Sequence, residues 1–257
     1  MKKKAVKYLY ITVVLFFLVL FVAKFGKQAI LKAYIEAGIG NCVKIPILCI
    51  VPEEEAIISE TDKDYISGLL PYSFPARQLP YVLPKMKVSV PKGFTIIRGA
   101  VTKVYYKKRK YNSETPTVYL LYQKPEFFIN LFPQLKKLGI KNNYDFVSRT
   151  MNARFTSIDG ITDTFFVIMK SIFTPDIGDQ RNVKIARFHA ADKKGFITYN
   201  LGITENYFDC DVIGDNDAFY KLYIKDMDQK LDLGKVVAIV STLKVSGAPA
   251  PVSGESK

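Results

Sequence analysis

The chain has 257 residues, a formal net charge of +13 from 37 Lys+Arg against 24 Asp+Glu, and 49% hydrophobic residues. That length and apolar content suffice for one or two packed domains and exclude a wholly disordered protein. Three cysteines are too few for a disulfide-framed fold, and a single histidine, His189, excludes any metal or catalytic site that needs two.

Tyr8 to Ala23 (YLYITVVLFFLVLFVA) carries no charge; Lys2, Lys3, Lys4 and Lys7 precede it, and Lys24 and Lys27 follow. As a helix these 16 residues cover about 24 Å, against a hydrocarbon core of about 30 Å. Snorkelling by Lys7 and Lys24 closes the gap, and Tyr8 and Tyr10 suit the interface. A cleaved signal peptide is the alternative, but Phe21 to Gly26 lacks the small residues that cleavage needs at −3 and −1. Nor is there a lipobox, because Cys42 lies too far downstream. The expectation is an uncleaved transmembrane anchor over 8–23. Four lysines stand before it and three (Lys24, Lys27, Lys32) after it, a modest bias toward a cytoplasmic 1–7. The chain would then be a single-pass inner-membrane protein with its bulk in the periplasm.

Residues 24–40 predict a juxtamembrane helix ended by Gly38 and Gly40. Phe25, Ala29, Ile30, Ala33 and Tyr34 fall near one side of it, and the expected role is a simple stalk. Residues 41–85 hold a cysteine-containing loop and a proline-rich extended arm. Cys42 and Cys49 flank Pro46, and both a disulfide and two buried thiols are open at this point. The stretch 53–64 is acidic. Pro71, Pro75, Pro80, Pro84 and Pro91 forbid helix across 70–92, while Leu69, Leu70, Tyr72 and Phe74 make the arm too apolar for a free linker.

Residues 86–245 predict one α+β domain. Met86–Val90, Val101–Tyr106 and Thr117–Tyr122 read as strands, the last two as a hairpin. A helical stretch from Pro125 is split at Pro133 and ends at Gly139. Asn143 caps a helix running to about Phe155, and another runs from Asp163 to Phe173. Val183–Ala191 and Phe196–Leu201 form a hairpin around Asp192-Lys193-Lys194-Gly195. In it Ala190 faces Ile197, Phe188 faces Tyr199, Ala186 faces Leu201, and Arg187 and His189 lie on a polar face. In a second hairpin Val212 faces Tyr220, Cys210 faces Leu222 and Phe208 faces Ile224, with Asp211 against Lys221 on the outer face. Leu231–Leu243 is read as a buried helix, with a strand as the alternative. Residues 246–257 read as a disordered tail.

The fold class is therefore an antiparallel sheet packed against helices, an α/β sandwich behind an N-terminal transmembrane helix. Over residues 86–245 the order of strands, helices, antiparallel meander and terminal helix distantly resembles PsbP-type domains, the α/β/α sandwiches of photosystem II and assorted envelope proteins. That resemblance implies binding or assembly rather than catalysis.

No catalytic or cofactor motif is present, and no catalytic residue, cofactor or metal is expected. Gly38-Ile39-Gly40 is a lone G-x-G. Asp209, Asp211, Asp215 and Asp217 fit a calcium loop only at its first two positions and Gly214, with Tyr220 where a bidentate Glu belongs. His189 reads as a surface histidine and Cys210 as a core residue. The strongest functional signal is charge. No Asp or Glu occurs from Ile66 to Ser113, and ten Lys or Arg do. The densest part holds Lys103, Tyr105, Lys107, Lys108, Arg109, Lys110 and Tyr111. These are the candidate surface-binding residues, and Cys42 and Cys49 the candidate disulfide. Outside the cytoplasm such a segment would meet anionic lipid, an acidic envelope protein or an acidic polymer, rather than nucleic acid; the alternative is a solvated loop that only adds solubility. The expected function is a membrane-anchored, non-enzymatic binding or assembly module. The alternative is a carboxylate-based envelope enzyme using a pair among Glu205, Asp209 and Asp211.

Overall fold

The computed structural model describes residues 26–52, 54–57, 60–76, 84–98, 116–174, 182–214 and 216–246. The anchor reading of 8–23, the basic cluster 103–111, Asp215 and the tail beyond Ser246 lie outside these. Among the described residues no helix is long and apolar enough to cross a membrane.

The protein is α+β, with its main sheet sandwiched between two apolar cores. In chain order the elements begin with α1 (Lys27–Gly38), β1 (Glu54–Ile57), α2 (Glu60–Ser67), β2 (Leu70–Phe74), β3 (Lys85–Val90), β4 (Thr95–Arg98) and β5 (Thr117–Gln123). Then come α3 (Phe127–Leu131), α4 (Asn143–Asn152), α5 (Ile161–Phe173), β6 (Lys184–Ala190), β7 (Lys193–Leu201), β8 (Asn206–Ile213), β9 (Phe219–Asp226), α6 (Leu233–Ser241) and β10 (Lys244–Ser246). The main sheet has seven strands in the order β1-β6-β7-β8-β9-β5-β4, and β10-β3-β2 form a second, three-stranded sheet. The expected antiparallel sheet is in fact mixed, because β1 pairs with β6 and β4 with β5 in parallel. β1 meets a partner far later in the chain, whereas β4 pairs with the next strand, β5, and no local turn signal marks either direction.

Strands β6 to β9 are central and buried on both faces, so each residue parity feeds a different core. Phe188, Ile197, Phe208, Cys210, Val212, Leu222 and Ile224 pack with Val237 and Val240 of α6 and with Met86 and Val88 of β3. Ile185, Phe196, Ile213 and Phe219 pack with Phe128, Phe146, Val147, Phe166 and Val167 on the helical side. The arm predicted around the prolines supplies β2, which pairs with β3. The acidic stretch supplies β1.

The β8–β9 register is as expected, with Val212 opposite Tyr220, Cys210 opposite Leu222 and Phe208 opposite Ile224. The β6–β7 register is four residues tighter than expected: Ala190 faces Lys193, Phe188 faces Gly195 and Ala186 faces Ile197. The turn is Ala191-Asp192, with Ala191 in the left-handed region at φ 54°. A shift by an even number preserves which residues share a face. The face carrying Arg187 and His189 is not uniformly polar, since Ile185 and Phe196 are buried there. His189 is exposed and lies opposite Lys194.

Helix α4 is capped by Asn142, whose side chain accepts from the Asp145 N–H, and not by Asn143. Asn143 is buried one residue inside, where its N–H donates to Asp217 Oδ2 at 2.8 Å and its Nδ2 to the Asp217 carbonyl at 2.7 Å. Helix α1 is not a free stalk. Ile35 is buried, Gln28 donates to Asp159 at 2.5 Å and Lys32 to the Thr156 carbonyl at 3.1 Å. The side expected to be apolar is the outer one, with Ile30 71% and Tyr34 70% exposed. The loop after α1 carries a Cys42–Cys49 disulfide with a Cα–Cα distance of 5.7 Å, and buries Ile47 and Leu48.

Lys170 ties this loop to the helical layer. It is fully buried in α5, and its ammonium donates to the carbonyls of Ile50 at 2.5 Å, Met151 at 2.7 Å and Ala153 at 2.9 Å. Burial, then the nearby Arg154, pull its pKa down to about 7. The three carbonyls, two of them at the C-terminal end of α4, favour the charged form. Lys170→Met keeps the stem and orphans all three acceptors. A loss of about 3 kcal/mol in urea unfolding is the expected result, with the largest rise in amide exchange at residues 41–52.

Candidate functional site

Strand β8 places Asp209 and Asp211 on the helical side of the sheet, alternating with Phe208, Cys210 and Val212 on the other. Lys221 stands opposite Asp211 on β9. Its ammonium donates to Oδ1 of Asp211 at 2.7 Å and to the Phe173 carbonyl at 2.8 Å, and lies 2.8 Å from Oδ2 of Asp209. Phe173 is the last residue of α5, so the cation also meets the negative end of that helix. Asp209 and Asp211 are 0% exposed and Lys221 is 4% exposed. The predicted Asp211–Lys221 pair is therefore present, but it lies under α5 and not on an outer face. The expectation of a solvated partner fails because this side of the sheet carries the second core.

Two carboxylates and one ammonium leave an excess negative charge in a dry site. Burial first, and then Asp211, raise the Asp209 pKa to about 7, while Lys221 opposes them. Burial likewise raises Asp211, again against Lys221. The group thus retains a proton near neutrality that isolated carboxyls would have released. Among the described residues, Asp209 Oδ1 and Asp211 Oδ2 accept no hydrogen bond.

The polar band continues along the same face. Tyr223 lies opposite both Asp209 and Tyr119, with ring centroids 6.2 Å from Tyr119 and 6.1 Å from Tyr207. Tyr207 donates to Glu205, which pairs with Lys225 at 3.0 Å. Burial raises the phenols of Tyr207 and Tyr223, and Glu205 adds to the effect at both. A carboxylate pair sharing a proton has the makings of an acid–base site. Here Lys221 fills the space between the carboxylates, and neither carboxylate reaches solvent. The arrangement locks β8, β9 and the end of α5 together.

An open concavity lies elsewhere, between α4 and α5. It is lined by Arg149, Asn152, Ala153, Arg154, Ser157, Asp163 and Phe166, with a volume of about 260 Å³. Arg149 lies over the Phe166 ring at 5.6 Å and is 3.7 Å from Asp163, a loose pair.

The aspartates considered for calcium separate. Asp209 and Asp211 hold Lys221, while Asp217 accepts from the backbone N–H groups of Asn143 and Tyr144 at the start of α4. No group of three or more potential metal ligands occurs among the described residues. Lys103, Tyr105, Lys107, Lys108, Arg109, Lys110 and Tyr111 lie outside the described residues. The proposed hairpin of 101–106 with 117–122 is overturned along Thr117–Leu120, where β5 is flanked by β4 in parallel and by β9. Sequence reasoning missed Lys170 and the Arg149–Arg154 concavity. A lone lysine inside the apolar run FFVIMKSIF was the available signal for the first. The second depends on how two helices pack.

No protein family, curated protein or solved structure matches the chain.

Proposed function

We propose that the chain is an envelope protein anchored by residues 8–23, with its α+β domain outside the cytoplasm as a non-enzymatic binding or assembly module. The observation that carries this reading is the docking of α1. The helix starts four residues after the uncharged run and buries Ile35 in the domain, so an anchor there would hold the domain against the bilayer. The Cys42–Cys49 disulfide supports an oxidising compartment. The basic segment 66–113, densest at Lys103–Tyr111, would meet anionic lipid or an acidic partner. Helices on one face of the sheet, and α6 with a small sheet on the other, support the layered α/β sandwich from which the PsbP-like reading starts.

The second reading, a carboxylate enzyme, draws on the raised pKa of Asp209. The complete burial of Asp209 and Asp211 beneath α5 weighs against it. A reporter active only outside the cytoplasm, fused after Lys257, is expected to be active, and the chain should float with membranes after alkaline extraction. A soluble chain, or activity only from a reporter that requires the cytoplasm, would overturn the topology.

A further inference from the structure

Building on the reading of residues 8–23 as an anchor, we propose that the concavity between α4 and α5 is a binding site for the phosphate of an anionic phospholipid headgroup. It would be presented to the bilayer by α1.

The argument starts from chain length. Gln28 follows the last residue of the uncharged run by five positions, so it lies within about 18 Å of the end of the span even when fully extended. Gln28 is bonded to Asp159 and Lys32 to Thr156. These contacts bring the turn before α5 to the same height above the membrane. Ser157 of that turn is a wall of the concavity. Ile161, the first residue of α5, is 76% exposed, and Ile30 of α1 is 71% exposed. Two large aliphatic side chains bared at this end of the domain suit the boundary between headgroups and acyl chains.

The lining supplies the charge. Arg149 and Arg154 both border the concavity. Asp163 is the single acidic residue in the lining, and its carboxylate is already engaged. Oδ2 accepts from the Asp159 N–H at 3.1 Å, and Oδ1 is 3.7 Å from Arg149. Arg154 forms no ion pair among the described residues. Lys32 adds a third cation on the neighbouring helix. A guanidinium fork suits two phosphate oxygens at once; Ser157 offers an uncharged donor beside it, and Asn152 a second amide hydrogen beyond the one it gives to the Ser148 carbonyl. About 260 Å³ accommodates a headgroup phosphate but not an acyl chain, which would remain in the bilayer.

The test uses the full chain in nanodiscs of neutral phosphatidylcholine, or of phosphatidylcholine with phosphatidylglycerol, read by amide hydrogen exchange. Each arginine near an anionic surface favours contact by about fivefold, so the two together favour it by about 25-fold, and exchange across residues 149–163 is expected to slow by up to about that factor with phosphatidylglycerol. Arg149→Gln with Arg154→Gln should abolish the slowing while lowering Tm by no more than a few degrees, the loss expected from the exposed Arg149 contacts with Phe166 and Asp163. Inorganic phosphate added to neutral discs should not reproduce it. Protection by phosphate alone would assign the site to a soluble ligand and overturn the proposal. Equal protection in both lipids, or protection that survives the double substitution, would also overturn it. A chain that fails to enter the discs at all would instead overturn the anchor reading, so the two failures are distinguishable.

Discussion

Lys221→Met is expected to cost about 3–5 kcal/mol at pH 8, because it keeps the length of the side chain and strands two fully buried carboxylates without a cation. The pH profile carries the more specific signature. In the native protein, Asp209 binds its proton with a pKa of about 7, against about 3.8 when unfolded. A raised acid contributes most stability below its unfolded pKa, and that contribution is lost as pH rises to the folded value. Stability from this group should therefore fall between about pH 4 and pH 7 and level off above. Removing Lys221 takes away the charge that opposes the rise, so the damage should be greatest above neutrality and shrink in acid. Combining Lys221→Met with Asp209→Asn and Asp211→Asn removes all three charges and should recover much of the loss. Urea unfolding across pH checks each part. A loss below about 1 kcal/mol at pH 8, or one independent of pH, would contradict a buried charged cluster.

Gly195→Ala should be nearly as damaging, by about 3 kcal/mol, through steric overlap alone. A Cβ there would lie 1.9 Å from the Asp211 carbonyl oxygen and 3.1 Å from the Phe188 ring. The first contact is backbone of the neighbouring strand, which cannot rotate away as a side chain could. Strands β7 and β8 would have to part where Asp211 enters the charge cluster. Gly202→Ala is the useful comparison. Its Cβ would approach the Glu205 carbonyl to 2.5 Å, but it sits at a strand end beside exposed Ile203, where the backbone has room to adjust. Urea unfolding of both variants should show the larger loss at 195.

The second hairpin was readable because one face of each strand is apolar and Asp211 meets Lys221 across the other, which leaves a single register compatible with both. Its burial was not readable, since pairing says nothing about what covers a sheet. A charged residue between Tyr220 and Leu222, opposite an Asp-Cys-Asp run, is nonetheless the pattern of a cation taken inside with its partners. The first hairpin misled through its composition. Asp192-Lys193-Lys194-Gly195 has turn residues, yet Gly195 serves close strand approach and Lys193 has its stem buried. The reversal falls instead at Ala191, in a conformation alanine seldom takes. Helices α4, α5 and α6 followed their apolar spacing to within a few residues. The parallel edges did not show: β1 depends on a partner far along the chain, and β4 pairs with the next strand, β5, without a tight turn that would have fixed its direction. The concavity between α4 and α5 left no mark either, because it depends on how two successive helices pack and not on any spacing within one of them.

The pairing of β1 with β6, and of β3 with β10, also sets the order in which the protein is able to assemble. Glu54 must wait for Ala186, and Met86 for Val245, while synthesis proceeds at about 5–20 residues per second. During that interval β1 lacks its partner and β3 is paired only with β2, and their open edges offer themselves to other chains. Folding is thereby tied to completion of the C-terminal end. A chain truncated before β10 would be expected to keep its β6–β9 meander and yet be lost to aggregation through the uncovered β3.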